Sequence, residues 1–304
     1  MLEQLQADIL KASVTENNDI SIDVVVHESI DSTNSWSLRQ VKAGRVLPFA
    51  CFAEKQTQGR GRRGKQWLMS SGANIAMSLA WPFAICYEEL NLLPLSVAMA
   101  IVETLESFGL AQVQVKWPND VYVQGRKIAG ILLETKAMKS GLETSPHAWS
   151  GSGAESEARP QIAVVIGVGL NYDMSAYEAD NFQPVASPLT DICSEVKLQA
   201  LEMLPERAGV AKKLLQNIVR ICQGYPQCAA SDLIRFQQNY DYCKNKYIDL
   251  VLDNGSVLSG VAQGVNSCAE LLVVIDGQRQ GFNSAEVSVR ASSNFLSGQS
   301  DAAS

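Results

Sequence analysis

The chain has 304 residues, 46% of them hydrophobic and 19% charged, which suits one large or two ordinary globular domains and excludes global disorder. An excess of 32 acidic over 25 basic residues gives a net charge of −7, the wrong sign for a general nucleic-acid or membrane-surface binder. Seven scattered cysteines without CxxC spacing and only two histidines leave few ligand sets for a structural zinc, and they fit a reducing, cytoplasmic location.

Residues 1–21 form a short polar segment, at best one loose helix, too small for a helix-turn-helix domain. It has no basic-then-apolar signal, and no run in the chain approaches 18 apolar residues, so no membrane partner is expected. IDVVVH (22–27) reads as a strand. Asp31 or Ser32 can then N-cap a helix over 33–42 that closes at Gly44. Strand-like runs follow at 50–55, 74–81 and 113–117, and Leu95, Ala98, Met99, Val102 and Leu105 predict a helix over 92–108 stopped by Gly109. VYV, a QGRK turn and IAGILLE read as a hairpin, and IAVVIGVGLN as a buried strand. Between these two, residues 137–160 are rich in Ser, Gly, Ala and Glu with no apolar period, and predict a disordered insertion in which His147 and Trp149 stand isolated. After helices near 207–222 and 229–239, residues 245–292 alternate apolar and polar in short runs between DNGS, NSCAE and DGQ turns. That pattern predicts a small antiparallel β barrel, with 293–304 as a disordered tail. The layout is an α+β domain over 22–244 followed by a β domain.

Three segments carry chemistry. GRGRRGK (59–65) combines glycines that let backbone approach a ligand with three arginines and a lysine, which suits a carboxylate or phosphate; a merely solvated basic loop is the plain alternative. KWPND (116–120) places Asn119 and Asp120 oxygens beside Lys116, although Asn119–Asp120 also reads as a simple turn. Lys127 leads into an apolar strand, where a buried lysine needs an anionic partner unless it points outward. In IGVGLN (166–171), Gly167 and Gly169 either make room for a ligand or mark a bulge. GxGxxG spacing is missing, so this is no dinucleotide fingerprint.

Taken in order, DSTN (31–34), AEKQTQGRGRRGKQW (53–67), KWPND (116–120), GRKIAGILLE (125–134) and IGVGLN (166–171) resemble the biotin protein ligases, also called biotin–[acetyl-CoA-carboxylase] ligases. The resemblance spans roughly residues 22–290 and implies a mixed-sheet catalytic domain of the biotin/lipoyl ligase, class II synthetase-like fold, followed by an SH3-like barrel. Two departures stand out: no N-terminal DNA-binding domain is expected, hence no repressor activity, and the 137–160 insertion is long. The implied reaction joins biotin to ATP as biotinyl-5′-AMP, then passes biotin to a lysine of a carrier protein, the acetyl-CoA carboxylase carrier subunit.

By that resemblance Arg60, Arg62, Lys127 and Lys116 carry catalysis by positive charge. Biotin is met by Ser32, Thr33, Asn34 (fixing the turn), Gln56, Gly59, Arg60, Gly61, Arg62, Trp67, Lys127, Gly130, Leu132, Gly167 and Gly169. ATP falls to Arg62, Lys65, Lys116, Asn119, Lys127, Ile131, Asn171 and Arg290. Mg²⁺ on the phosphates takes Asn119 and Asp120 as candidate oxygen ligands or water holders. The rival readings are a lipoyl or octanoyl transferase, against which the missing His-Asp pair after the arginine loop counts, and a non-catalytic nucleic-acid binder, against which the acidic charge counts. The sequence leaves monomer and homodimer equally open. With nothing burying it, the 58–64 loop is expected to be mobile until an anion arrives.

Overall fold

Two ten-residue strands, Asn74–Phe83 and Ile162–Asn171, set the architecture, because every side chain in the first and nearly every one in the second is buried. Strands buried on both faces belong at the centre of a covered sheet. The computed structural model describes residues 4–11, 20–69, 71–138, 161–175, 188–284 and 287–291. The expectations for 139–160, with His147 and Trp149, and for the 293–304 tail lie outside them.

A parallel strand-helix-strand unit opens the fold: β1 (Asp23–His27), α1 (Thr33–Lys42) and β2 (Phe49–Ala53). Ser32 is the N-cap of α1, its Oγ accepting from Ser35 N, and Gly44 takes φ +85° just past the end. β3 (Asn74–Phe83), α2 (Leu93–Ser107), β4 (Val113–Lys116), β5 (Asp120–Val123), β6 (Arg126–Ala137) and β7 (Ile162–Asn171) complete a seven-stranded mixed sheet in the order β1-β2-β3-β7-β6-β5-β4. Gln124 and Gly125, both at positive φ, make the two-residue hairpin turn between β5 and β6. α3 (Ile192–Leu198), α4 (Arg207–Gly224) and α5 (Ala229–Arg235) follow, and a turn over Phe236–Tyr240 leads into the second sheet. That sheet is antiparallel: β8 (Tyr247–Leu252), β9 (Val257–Val265), β10 (Leu271–Ile275), β11 (Gln278–Phe282) and β12 (Val287–Ala291), ordered β11-β10-β9-β8-β12.

Strand alternation divides labour between the two faces of the large sheet. Ile75, Met77, Leu79 and Trp81 of β3 and Val164, Ile166, Val168 and Leu170 of β7 join the main core with α2 and α4. The other face carries small residues: Ala76, Ser78 and Ala80 on β3, Gly167 and Gly169 on β7, Gly130 on β6. α1 packs there, close to the sheet. Residues 88–107 have the length and apolarity of a spanning helix, but two-thirds of that window is buried inside the fold.

The N-terminal segment differs from its reading as a loose polar helix. Leu5 and Leu10 are buried in the main core, and Leu5 N donates to Glu54 Oε1 at 2.7 Å. Glu54 also holds Arg207 of α4 in a buried fork at 2.7 and 2.8 Å, so the segment is tied to an ion pair that α4 needs.

Candidate active site

A cavity of about 510 Å³ opens on the small-residue face, walled by the 60–68 loop, the first turn of α1, β6, β7 and β12. All the residues singled out from sequence line it except Gly59, which sits behind it. There Gly59 O accepts from Trp67 N at 2.9 Å, and a Cβ on Gly59 would meet Trp67 O at 2.4 Å. This close approach is why the loop base carries glycine.

The two glycines of IGVGLN make room for protein side chains, a third outcome beside ligand space and bulge. A Cβ on Gly167 would lie 2.2 Å from Asn34 Oδ1, and one on Gly169 would lie 2.3 Å from the Trp67 ring. Asn34 therefore does not fix the DSTN turn; it sits in the first turn of α1 and reaches the sheet. Its Oδ1 accepts from Ser78 Oγ at 2.6 Å, and its Nδ2 donates to Leu132 O and Glu134 Oε2. Gln56 Oε1 accepts from Thr33 N at 2.8 Å and from Thr33 Oγ1 at 3.2 Å. Ser32, Thr33, Asn34, Gln56, Gly130, Leu132 and Trp67 thus form one end of the cavity, part apolar and part amide.

The other end is cationic. Lys127 starts β6 where the ladder shifts register, with its backbone bonded to residues 188 and 190 on the far side. Its Nζ pairs with Asp120 Oδ1 at 2.7 Å and lies 5.6 Å from the Trp67 ring centroid. The anionic partner expected for Lys127 is therefore already present within the chain. Arg62 donates to Asn119 Oδ1 at 3.2 Å and to Ser284 O at 2.6 Å, and Asn119 Nδ2 donates to Ile131 O. Lys116 stands 5.5 Å from the Tyr122 ring, which stacks on Tyr242. Burial holds Lys116 below the usual lysine pKa, and burial followed by the neighbouring Arg63 lowers Arg62. Lys65 and the exposed Arg290 complete this end. Asn171 faces the cavity, but both ends of its amide are engaged, by Thr190 O and Asn74 Nδ2.

Two expectations need correction. The arginine loop is not without anchors. Besides Arg62, Arg63 Nη1 donates to Ser288 Oγ at 2.8 Å and Nη2 pairs with Asp253 at 3.0 Å, so the β domain grips the loop. Arg60, taken for a catalytic charge, lies at the amide end: its fork holds Glu134 at 2.7 and 3.1 Å. Glu134 is seven residues from Lys127 along β6, roughly 23 Å at about 3.3 Å per residue. Sequence reading also passed over Ser78, Trp117, whose Nε1 donates to Ala269 O across the domains at 3.0 Å, and Tyr122. Glu134 was the recoverable one, since it shares the even spacing of Gly130 and Leu132 on the cavity face.

Among the described residues, seven cations (Arg60, Arg62, Arg63, Lys65, Lys116, Lys127 and Arg290) line the cavity against one carboxylate, Asp120, in a chain of net charge −7. Residues 26–145 match the Biotin/lipoate A/B protein ligase family. The chain is 27% identical over 290 residues to the bifunctional ligase/repressor BirA of Salmonella typhimurium, covering 95% of this chain and 80% of the relative. It is also 27% identical to the biotin–[acetyl-CoA-carboxylase] ligase of Mycobacterium tuberculosis, over 88% of each chain. In fold it is similar to the biotin protein ligase of Aquifex aeolicus solved with biotin and ATP, with a TM-score of 0.64 at 20% identity, over 88% of this chain and 99% of that one.

Proposed function

We propose that this chain is a biotin protein ligase, which activates biotin with ATP and transfers it to a lysine of a biotin carrier protein, the acetyl-CoA carboxylase carrier subunit being the natural candidate. The observation that carries this reading is the polarity of the cavity: an amide-and-indole end suited to an uncharged ring, and a cationic end, with Arg62 and Lys116 half-buried, suited to a polyphosphate. Concentrating positive charge in one cleft of an acidic protein calls for an anionic occupant.

In the first step a biotin carboxylate oxygen attacks the α-phosphorus of ATP, and pyrophosphate leaves with the bonding pair of the broken P–O bond. Both reactants are anions, so the enzyme's task is to hold them in line and to face the growing charge with fixed cations. On this reading Lys127 and Arg62 face the carboxylate and the α-phosphate, Lys116, Lys65 and Arg290 serve the outer phosphates, and Ile131 and Asn171 the nucleoside; all of them line the cavity. In the second step the amine of the carrier lysine attacks the carbonyl of the mixed anhydride, AMP leaves, and an amide forms. The nucleophile comes from the partner, so the chain needs no nucleophile of its own.

Mg²⁺ fits this arrangement. Held largely by phosphate oxygens and water, it needs only one or two protein oxygens, and Asp120 with Asn119 supplies a carboxylate and an amide. Among the described residues no group of three or more His, Cys, Asp or Glu forms a cage. When bound it would neutralise phosphate charge. Lys127 pairs with Asp120 Oδ1 and Arg62 donates to Asn119 Oδ1, so the same two residues would be shared between these cations and the metal. A soluble, cytoplasmic location belongs to the same reading, because that is where acetyl-CoA carboxylase is met.

The test is incubation with biotin, Mg-ATP and a carrier domain, read by intact mass. One biotinyl adduct per carrier, dependent on ATP, is expected. Biotin-independent pyrophosphate release, or transfer of lipoate in preference to biotin, would overturn the assignment.

A further inference from the structure

Glu134 has no role in the two-step chemistry above, yet among the described residues it is the most highly connected carboxylate beside the cavity. Its Oε1 accepts from Arg60 Nη2 at 2.7 Å, and its Oε2 accepts from Arg60 Nη1 at 3.1 Å and from Asn34 Nδ2 at 3.1 Å. Arg60 Nη1 also donates to Ser35 Oγ at 3.2 Å. One carboxylate on a rigid strand therefore ties the glycine–arginine loop to the first turn of α1. Because Ser78 Oγ donates to Asn34 Oδ1, the Asn34 amide presents its NH₂ to Glu134. Ser78 Oγ lies 2.8 Å from Thr33 Oγ1, which reaches Gln56. A continuous polar chain thus runs Arg60–Glu134–Asn34–Ser78–Thr33–Gln56, linking the loop to the residues at the amide end.

Without Glu134, Arg60 would keep, among the described side chains, the Ser35 hydroxyl and would be repelled by the loop's other cations. With it, the Arg60 charge is neutralised at the end of the site far from Lys127. We propose that Glu134 is a positioning residue that holds the 59–67 loop closed and sets Asn34 and Thr33 for the ring of biotin, while Arg60 acts as a strut. This proposal rests on the ligase reading.

Without the pair the loop of the free protein opens, and closing it again is charged to biotin binding, equally in the ground and transition states. Losing the pair should therefore raise KM and leave kcat alone. Both side chains are partly exposed, Arg60 at 42% and Glu134 at 23%, which screens the pair. A rise of about five- to tenfold is expected, less than an unscreened charged hydrogen bond would give. The experiment measures biotin-dependent pyrophosphate release by the full chain carrying Glu134→Gln, Arg60→Met, or both. Each single variant should raise KM for biotin by that factor, with kcat and KM for ATP within about twofold of wild type, and the double variant should add little, because the two residues act as one unit. Arg60→Met alters only the loop, so it reads the pair even if Glu134→Gln folds poorly. Unchanged KM for biotin in Arg60→Met, a fall in kcat without a change in KM, or additive effects in the double variant would overturn the proposal. A wild-type chain that makes no adenylate from biotin and ATP would instead bring down the ligase reading itself, and this inference with it.

Discussion

Replacing Gly169 with alanine puts a methyl group into a space that Trp67 fills. The new Cβ would lie 2.3, 2.4 and 2.8 Å from three indole carbons, whereas carbon atoms rest about 3.5–4.0 Å apart. The ring must therefore retreat by more than about 1 Å. Lys127 stands over the ring, its Nζ 5.6 Å from the centroid, and closes that side. The open direction is into the cavity, where the ring takes space from the ligand. Overpacking of this kind costs about 1–3 kcal/mol. Trp67 lies at a partly open rim, so the free protein relieves much of the strain by rotating the indole, and the melting temperature should fall by only a few degrees. The ligand must push the ring back, so the cost moves into binding: the Kd for biotin should rise about 5- to 150-fold, at about 1.4 kcal/mol per tenfold. Titration calorimetry reads the affinity and a thermal melt reads the stability. Trp67→Ala supplies the control, because in that background Gly169→Ala has nothing to strike and should add no further loss. Wild-type affinity in Gly169→Ala, or an equal added loss with the indole already removed, would refute the packing argument.

Lys127→Ala should leave the fold intact and slow adenylate formation about 10²–10³-fold, the usual cost of one fixed contact to developing charge; near-normal pyrophosphate release by the folded variant would remove Lys127 from that role. Lys116 gives up its proton more readily in the folded state than at its ordinary pKa of 10.5, because burial disfavours the charge. Its charged form therefore weakens the fold at neutral pH, and this penalty fades as pH rises through the lowered folded pKa toward 10.5. Lys116→Met should then raise the melting temperature at pH 7, more than at pH 10, while weakening ATP binding; a variant less stable at pH 7 contradicts this. Met138 N donates to Gln161 O at 2.9 Å and Ala137 pairs with Ile162, so the ends of the long insertion are already hairpin neighbours. Replacing 139–160 by a two-residue Asn-Gly turn should keep biotin and ATP affinity within about twofold, since changes in loop length cost tenths to about 1 kcal/mol. Loss of ATP binding on that replacement would assign the insertion to the site.

Local signals in the chain specify much of this protein. Ser32 before an apolar-faced segment and Gly44 after it bound α1 within a residue, because capping and positive φ act locally. Apolar runs through β3 and β7 mark the two central strands, and the clustering of glycine, arginine and lysine at 59–65 and 116–127 marks the cavity wall, because close approach and positive charge each demand particular residue types. Pairings between distant segments are a different matter. That Gly167 makes room for Asn34, that Arg60 answers Glu134, 74 residues away, and that Arg62 and Arg63 are gripped by Ser284, Ser288 and Asp253 follow from register and domain docking. The same holds at the N-terminus, where Leu5 and Leu10 look like isolated leucines in a polar segment until the Glu54–Arg207 pair brings Leu5 against the core. A residue's chemistry is intrinsic to it, but which charge neutralises which is set by what the closed fold brings within about 3 Å.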